Sequence, residues 1–163
     1  MTSNVFLALG SNIDDRQKYI NDAIDLLKSN SDIKIVKISS IYVTKAYGFT
    51  EQNDFYNLVC EIQTLLTPEK LLSFCKTCEK VLGRVKREHW GPREIDIDIL
   101  FYNNLVVNSD VLNIPHKEFE KRDFCVIPML EIAENFIHPV FNRSIKEISL
   151  NLKETFIINK LEN

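Results

Sequence analysis

The chain has no run of apolar residues long enough to span a bilayer, so nothing in it reads as a transmembrane helix. It has no excess of positive charge: 20 Lys and Arg stand against 23 Asp and Glu, a net charge of −3. That balance argues against a general nucleic-acid binder and against a protein of the membrane surface. Met1-Thr2-Ser3-Asn4 lacks a charged n-region and runs straight into a strand-like segment, so no signal peptide is read. No internal repeat, low-complexity tract or Ser/Gly linker divides the chain. Cys60, Cys75, Cys78 and Cys125 have no secretory context and read as reduced thiols of a cytoplasmic protein. What remains for 163 residues, 45% of them hydrophobic, is a single domain over 1–163. Its core is expected at about 4–152, with 153–163 a weakly specified tail.

Against this acidic background one basic stretch stands out, from Arg84 to Arg93, and it holds the only tryptophan, Trp90. Directly after it the chain alternates: Ile95, Ile97 and Ile99 on one side, Glu94, Asp96 and Asp98 on the other. Alternation of this kind marks a half-buried strand. Residues two apart share a face at about 6.6 Å. Asp96 and Asp98 therefore point the same way, and bare carboxylates side by side repel. Hard divalent cations such as Mg2+ relieve that repulsion and then hold phosphate oxygens. A cationic loop beside a carboxylate pair predicts a polyphosphate substrate with its metal.

The remaining pattern supplies the scaffold. Val5 to Leu9 reads as a buried strand, and Gly10-Ser11-Asn12 as a plain strand-to-helix turn rather than a phosphate cradle. Ile13, Ile20, Ala23, Ile24 and Leu27 form a helical stripe. Ile33 to Val43 reads as one strand with a bulge or strong twist, because its apolar parity shifts. Thr44 to Asp54 is irregular, with Gly48 as pivot, and Phe55 to Thr64 alternates as another strand. Thr67-Pro68-Glu69 starts a helix that buries Leu71, Cys75, Cys78 and Leu82 and stops at Gly83. Cys75 and Cys78 lie deep on that apolar stripe and read as core rather than a redox pair. Leu105 to Val107 reads as a short strand, Phe124 to Ala133 as a helix, and Ile145 to Leu152 as a short helix or strand. The order predicts an α+β fold with a ferredoxin-like βαββαβ core: an antiparallel sheet, helices on one face, and C-terminal additions. The other sheet face, carrying Asn57, Asp96 and Asp98, is expected to be left for ligands.

Several motifs then appear in series: Leu9-Gly10-Ser11-Asn12, Asp54-Phe55-x-Asn57, Glu79-x-x-x-Gly83-Arg84, Trp90-Gly91-Pro92-Arg93-x-Ile95-Asp96-Ile97-Asp98-Ile99, Ile114-Pro115-His116 and Arg122-x-Phe124. In this order the chain resembles the 6-hydroxymethyl-7,8-dihydropterin pyrophosphokinase family of folate synthesis, from Val5 to about Leu152. The resemblance implies transfer of the two terminal phosphates of ATP, by attack at the β-phosphorus, to the hydroxymethyl oxygen of a reduced pterin, with AMP as second product. It implies two Mg2+ ions on Asp96 and Asp98, and Arg84 and Arg93 as further catalytic residues. It places Glu79, Arg84, Lys86, Trp90, Arg93, Ile99, His116 and Arg122 at ATP. It places Thr44, Tyr47, Gly48, Phe55, Asn57, Trp90, Asp96 and Phe124 at the pterin. Lys86 stands where the family usually has arginine, and Lys76, Val111, Asn113 and Lys117 also depart from its pattern near the nucleotide. Partners are expected to be small molecules only, with neither nucleic acid nor membrane, and the protein a free-standing monomer. From the residues alone, another Mg-dependent phosphotransferase or phosphohydrolase stays open, as does an RNA-binding ferredoxin-like module.

Overall fold

The computed structural model describes residues 1–162. Its elements, in chain order, are β1 (Ser3–Ser11), α1 (Arg16–Ser29), β2 (Ile33–Ile38), β3 (Tyr42–Thr44), β4 (Phe55–Thr64), α2 (Pro68–Val81), β5 (Asp96–Tyr102), β6 (Val107–Asn108), β7 (Asn113–Ile114), α3 (Asp123–Ala133), α4 (Ile145–Ser149) and β8 (Ile157–Lys160). The helix starts follow from local chemistry. Asp15 caps α1 by accepting the Lys18 amide, and Thr67 caps α2 by accepting that of Lys70, with Pro68 in the first turn.

The main sheet runs β5-β1-β4-β3-β8, with β2 also paired to β4, and every pairing is antiparallel. The first six elements of the expected pattern therefore form the ferredoxin-like core. The segment expected as one strand, Ile33 to Val43, is split into β2 and β3. Its register shifts between Ile35 and Lys37, and the ladder breaks at Ser39 to Ile41. There the Ser39 hydroxyl accepts the Val59 amide at 3.0 Å in place of a backbone partner.

Alternation sends the two sets of side chains into two cores. Val5, Leu7, Leu9, Leu58, Cys60, Ile62, Ile97 and Ile99 pack with α1 and α2. Phe6, Val59, Leu100 and Phe101 pack on the other face with Val126 and Met129 of α3 and with Ile145 and Ile148 of α4. Fully burying one such aliphatic side chain contributes about 1.5–3 kcal/mol. Leu100 and Phe101 share a face because Phe6 pairs with Phe101 while Leu7 pairs with Ile99, which leaves Leu100 as an extra residue.

The core helices α1 and α2 lie on one face as expected, and the C-terminal additions α3 and α4 cover part of the other, so only its end near Gly10, Asn57, Asp96 and Asp98, not the whole face, stays open. Within the weakly specified tail, β8 adds a strand to β3. Glu94 does not share the acidic strand face. It precedes β5 and is buried, with both oxygens taken by Arg87 at 2.9 and 2.7 Å. No helix among the described residues is long and apolar enough to cross a membrane.

Candidate active site

Three strands meet at the open end of the sheet. Gly10 on β1 pairs with Asn57 on β4 and with Asp96 on β5. A Cβ at Gly10 would lie 2.5 Å from Asn57 Oδ1, so the absence of a side chain there clears the floor between Asn57 and Asp96. Above this floor is a cavity of about 620 Å³, walled by the segments 44–47 and 84–93 and by His116, Arg122 and Phe124. That size suits a small-molecule site.

The carboxylates on its floor have opposite surroundings. Asp96 is clamped: Arg84 Nη1 donates to Oδ1 at 2.8 Å and Arg93 Nη1 to Oδ2 at 2.8 Å. Burial pushes its carboxyl up, but Arg93, Arg84 and Lys76 outweigh that and hold it below the ordinary range. Asp98 has no such clamp. Its nearest charge partner, His116 Nε2, is 4.0 Å away. Burial first, and then the Asp96 charge, push its carboxyl up to about 7. Burial, followed by the nearby Arg122 charge, holds His116 below its ordinary value, which favours the neutral imidazole.

Glu79 sits beneath these groups, only 3% exposed. It accepts Arg84 Nη1 at 2.8 Å, the Ile97 amide at 2.8 Å and Lys76 Nζ at 3.3 Å. It thereby holds Arg84 against β5. Lys86 lines the cavity and has no carboxylate partner among the described residues. The Ile99 side chain is 4% exposed and packs in the core under α1 and α2, because alternation turns it away from Asp98.

The aromatic wall faces the carboxylates. Tyr47 meets Trp90 edge to face at 5.7 Å and Phe124 at 6.1 Å. Phe55 also lines the cavity, with the Arg93 guanidinium 5.5 Å from its ring. Arg122 lies 4.7 Å over the Tyr47 ring and donates to Glu118 at 3.3 Å. Glu118 also accepts the Tyr47 hydroxyl at 3.1 Å. Asn57 Nδ2 donates to Thr44 Oγ1 at 2.7 Å, which fixes its amide. Gly48 is not itself on the cavity wall; it backs Trp90.

Two residues outside the expected site hold its two loops together. Gln52 Nε2 donates to the Trp90 carbonyl at 2.7 Å. Asn12 Nδ2 donates to Gln52 Oε1 at 2.9 Å and to the Asn53 carbonyl at 3.0 Å, while Asn12 Oδ1 accepts the Arg93 amide at 2.9 Å. Asn12 is 1% exposed. The only sign of this in the sequence is a polar residue straight after a buried strand, which a plain turn explains equally well. Among the described residues no group of three or more His, Cys, Asp or Glu side chains could hold a metal ion.

A model of the 7,8-dihydro-6-hydroxymethylpterin-pyrophosphokinase (HPPK) family matches residues 6–134. A protein of Aquifex aeolicus named 2-amino-4-hydroxy-6-hydroxymethyldihydropteridine pyrophosphokinase is 48% identical over 145 residues, 89% of each chain. One of the same name from Bacillus subtilis is 38% identical over 134 residues, 82% of this chain and 80% of the other. The bifunctional protein FolKE of Lactococcus lactis is 40% identical over 157 residues, 95% of this chain but 45% of its own length. Among solved structures, Plasmodium falciparum HPPK-DHPS superimposes with a TM-score of 0.74 at 16% identity, over 93% of this chain and 45% of that longer one. At that identity the likeness speaks for the fold alone.

Proposed function

The chain belongs to the 7,8-dihydro-6-hydroxymethylpterin-pyrophosphokinase family, and from that we propose that it transfers a pyrophosphoryl group from ATP to 6-hydroxymethyl-7,8-dihydropterin in folate biosynthesis. The observation that carries this reading is the pairing of a clamped carboxylate, Asp96, with an unclamped one, Asp98, on the floor of a cationic and aromatic cavity. The acceptor's hydroxymethyl oxygen forms a bond to the β-phosphorus. The bond from that phosphorus to the bridging oxygen breaks, AMP leaves with that oxygen, and the hydroxyl proton passes to solvent.

The chain's residues divide the work. Arg84 and Arg93 each spend one nitrogen on Asp96 and turn their remaining N–H groups to phosphate oxygens, whose spacing a guanidinium fork matches. Lys86, His116 and Arg122 add donors around the phosphates. Glu79 acts through Arg84 rather than on the nucleotide. The flat acceptor ring stacks between Phe55 and Phe124. Asn57, its orientation set by Thr44, reads the ring edge, and Tyr47, Gly48 and Trp90 close the side. Joined through Asn12 and Gln52, the segments Thr44 to Asp54 and Arg84 to Glu94 exclude water that would otherwise accept the pyrophosphoryl group.

Asp96 and Asp98 fit two Mg2+ ions. An all-oxygen pair suits a hard cation, and a carboxyl raised by burial and by the neighbouring Asp96 charge is what a cation would relieve. The remaining ligands would come from substrate oxygens and water. When bound, Mg2+ would offset triphosphate charge and make the acceptor hydroxyl easier to ionise. Action as a monomer on small-molecule substrates completes the proposal.

The test is product identity. With ATP, Mg2+ and the hydroxymethyl pterin, AMP is expected to form only when the pterin is present. ADP or free phosphate instead would favour a different phosphotransferase or phosphohydrolase.

A further inference from the structure

The family match stops at residue 134, yet the aromatic wall is backed by a residue near the C-terminus. The strand β8 runs antiparallel to β3 and brings Phe156 behind the cavity. The Phe156 ring lies 5.4 Å from that of Tyr47 and 5.7 Å from that of Phe124, the latter at 86°. Its carbonyl accepts the Lys45 amide at 2.8 Å, so it also holds the start of the 44–54 segment. Its own amide and that of Ile157 both donate to Asp123 Oδ2, at 2.8 and 3.0 Å. Asp123 is 4% exposed and stands between Arg122 and Phe124 in the first turn of α3. One buried carboxylate thus ties the C-terminal strand to the helix start that carries two of the proposed site residues.

We propose that Phe156 is a positioning residue for the acceptor, resting on the reading that Phe124 and Tyr47 border the pterin. Phe156 does not line the cavity. From outside the cavity it lies at 57° against Tyr47 and edge to face against Phe124, and aromatic contacts of this kind fix ring tilt. The Tyr47 hydroxyl bond to Glu118 anchors one end of that ring, and the Phe156 ring, tilted at 57° to it, joins Trp90 and Arg122 in setting its rotation about the long axis. Phe156 belongs to neither buried core cluster and is only half-buried, so a pure packing role would be minor. This gives the C-terminal strand a part in substrate affinity.

The experiment compares Phe156→Ala, Phe156→Leu and Ile158→Ala in the full chain. Ile158 is exposed on β8 itself, two residues past Phe156, and controls for loosening of β8 as such. Phe156→Ala is expected to raise KM for the pterin about fivefold to tenfold, with KM for ATP and kcat within about twofold of the parent protein. Phe156→Leu, which keeps bulk without the aromatic edge, is expected between the two and carries the test if the alanine variant does not fold. Ile158→Ala is expected to match the parent. An unchanged pterin KM, an equal rise for ATP, or the same rise in Ile158→Ala overturns the proposal. If the parent forms no AMP from the pterin, the activity reading fails on its own, and the emission of Trp90, the chain's only tryptophan, decides instead. Trp90 sits edge-on to Tyr47, so Phe156→Ala must shift its emission and Ile158→Ala must not. Identical spectra overturn the positioning role.

Discussion

Gly48 and Trp90 meet with no room for a Cβ between them: a methyl group at Gly48 would overlap the indole ring. Gly48 also has φ +80°, the left-handed region that costs other residues about 1–2 kcal/mol. The two loops over the cavity touch at this point. Gly48→Ala is therefore expected to part them, moving Trp90 off Tyr47. Steady-state kinetics should show kcat/KM for the pterin about tenfold lower or worse, since a small misplacement at a closing site is felt in full. Trp90 emission should shift with it. Parent-like kinetics would mean that the contact has no bearing on turnover.

Asp96 and Asp98 should not be interchangeable. Asp96→Asn removes the charge that Arg84 and Arg93 share, so both guanidinium groups lose their shared anchor and any cation loses one ligand. Asp98→Asn leaves that clamp whole and removes only the unclamped carboxylate. Both are expected to lower kcat about a thousandfold or more, a loss of roughly 4 kcal/mol of barrier reduction. Thermal melts should separate them: Asp98→Asn melts at or above the parent temperature without Mg2+, and Asp96→Asn melts lower. Equal melting temperatures would contradict the clamp.

The raised Asp98 carboxyl sets a pH dependence. Its value moves from an ordinary 3.8 up to about 7, for burial first and the Asp96 charge second. Between those values the folded state binds the proton that the unfolded state has lost, so stability without a cation falls as pH rises through that window. A divalent cation needs the ionised form. The stabilisation by Mg2+ should therefore be small near pH 6 and clearly larger near pH 8, read as the difference in melting temperature with and without the ion. An Mg2+ effect of equal size at both, or one lost above pH 7, would refute this.

Glu79 is predicted to act through Arg84. Glu79→Gln keeps an acceptor for the Ile97 amide but drops the charge that binds Arg84 Nη1 at 2.8 Å. The expected outcome is a fall in kcat of about tenfold to a hundredfold with little change in pterin KM. A rise in nucleotide KM alone, at parent kcat, would instead point to direct contact between Glu79 and ATP.

The sheet was legible where one face is buried. Leu58, Cys60 and Ile62, like Ile95, Ile97 and Ile99, repeat at the strand period, and their partners across the strand follow by alternation. The same rule turns the Ile99 side chain away from the cavity and into the core. Other features left no local mark. The bulge at Leu100 depends on how Phe6 and Phe101 pair. The strand β8 is short and largely exposed, and its place depends on the edge of β3 and on the two amides that Asp123 accepts.

From the sequence alone came the element order, the carboxylate pair facing one way, the basic loop before it and the resemblance that names the chemistry. Each of these rests on residues within a few positions of one another, or on motifs that stay in order along the chain. The tertiary structure decided which arginine holds which oxygen, that Asp98 is left unclamped, that Asn12 joins the two loops and that a C-terminal phenylalanine backs the ring pocket. Arg93 and Asp96 are only three positions apart, but Asn12 and Arg93 are separated by 81 positions and Asp123 and Phe156 by 33. No local pattern can encode such pairs, because strand order and register alone bring them within hydrogen-bonding distance.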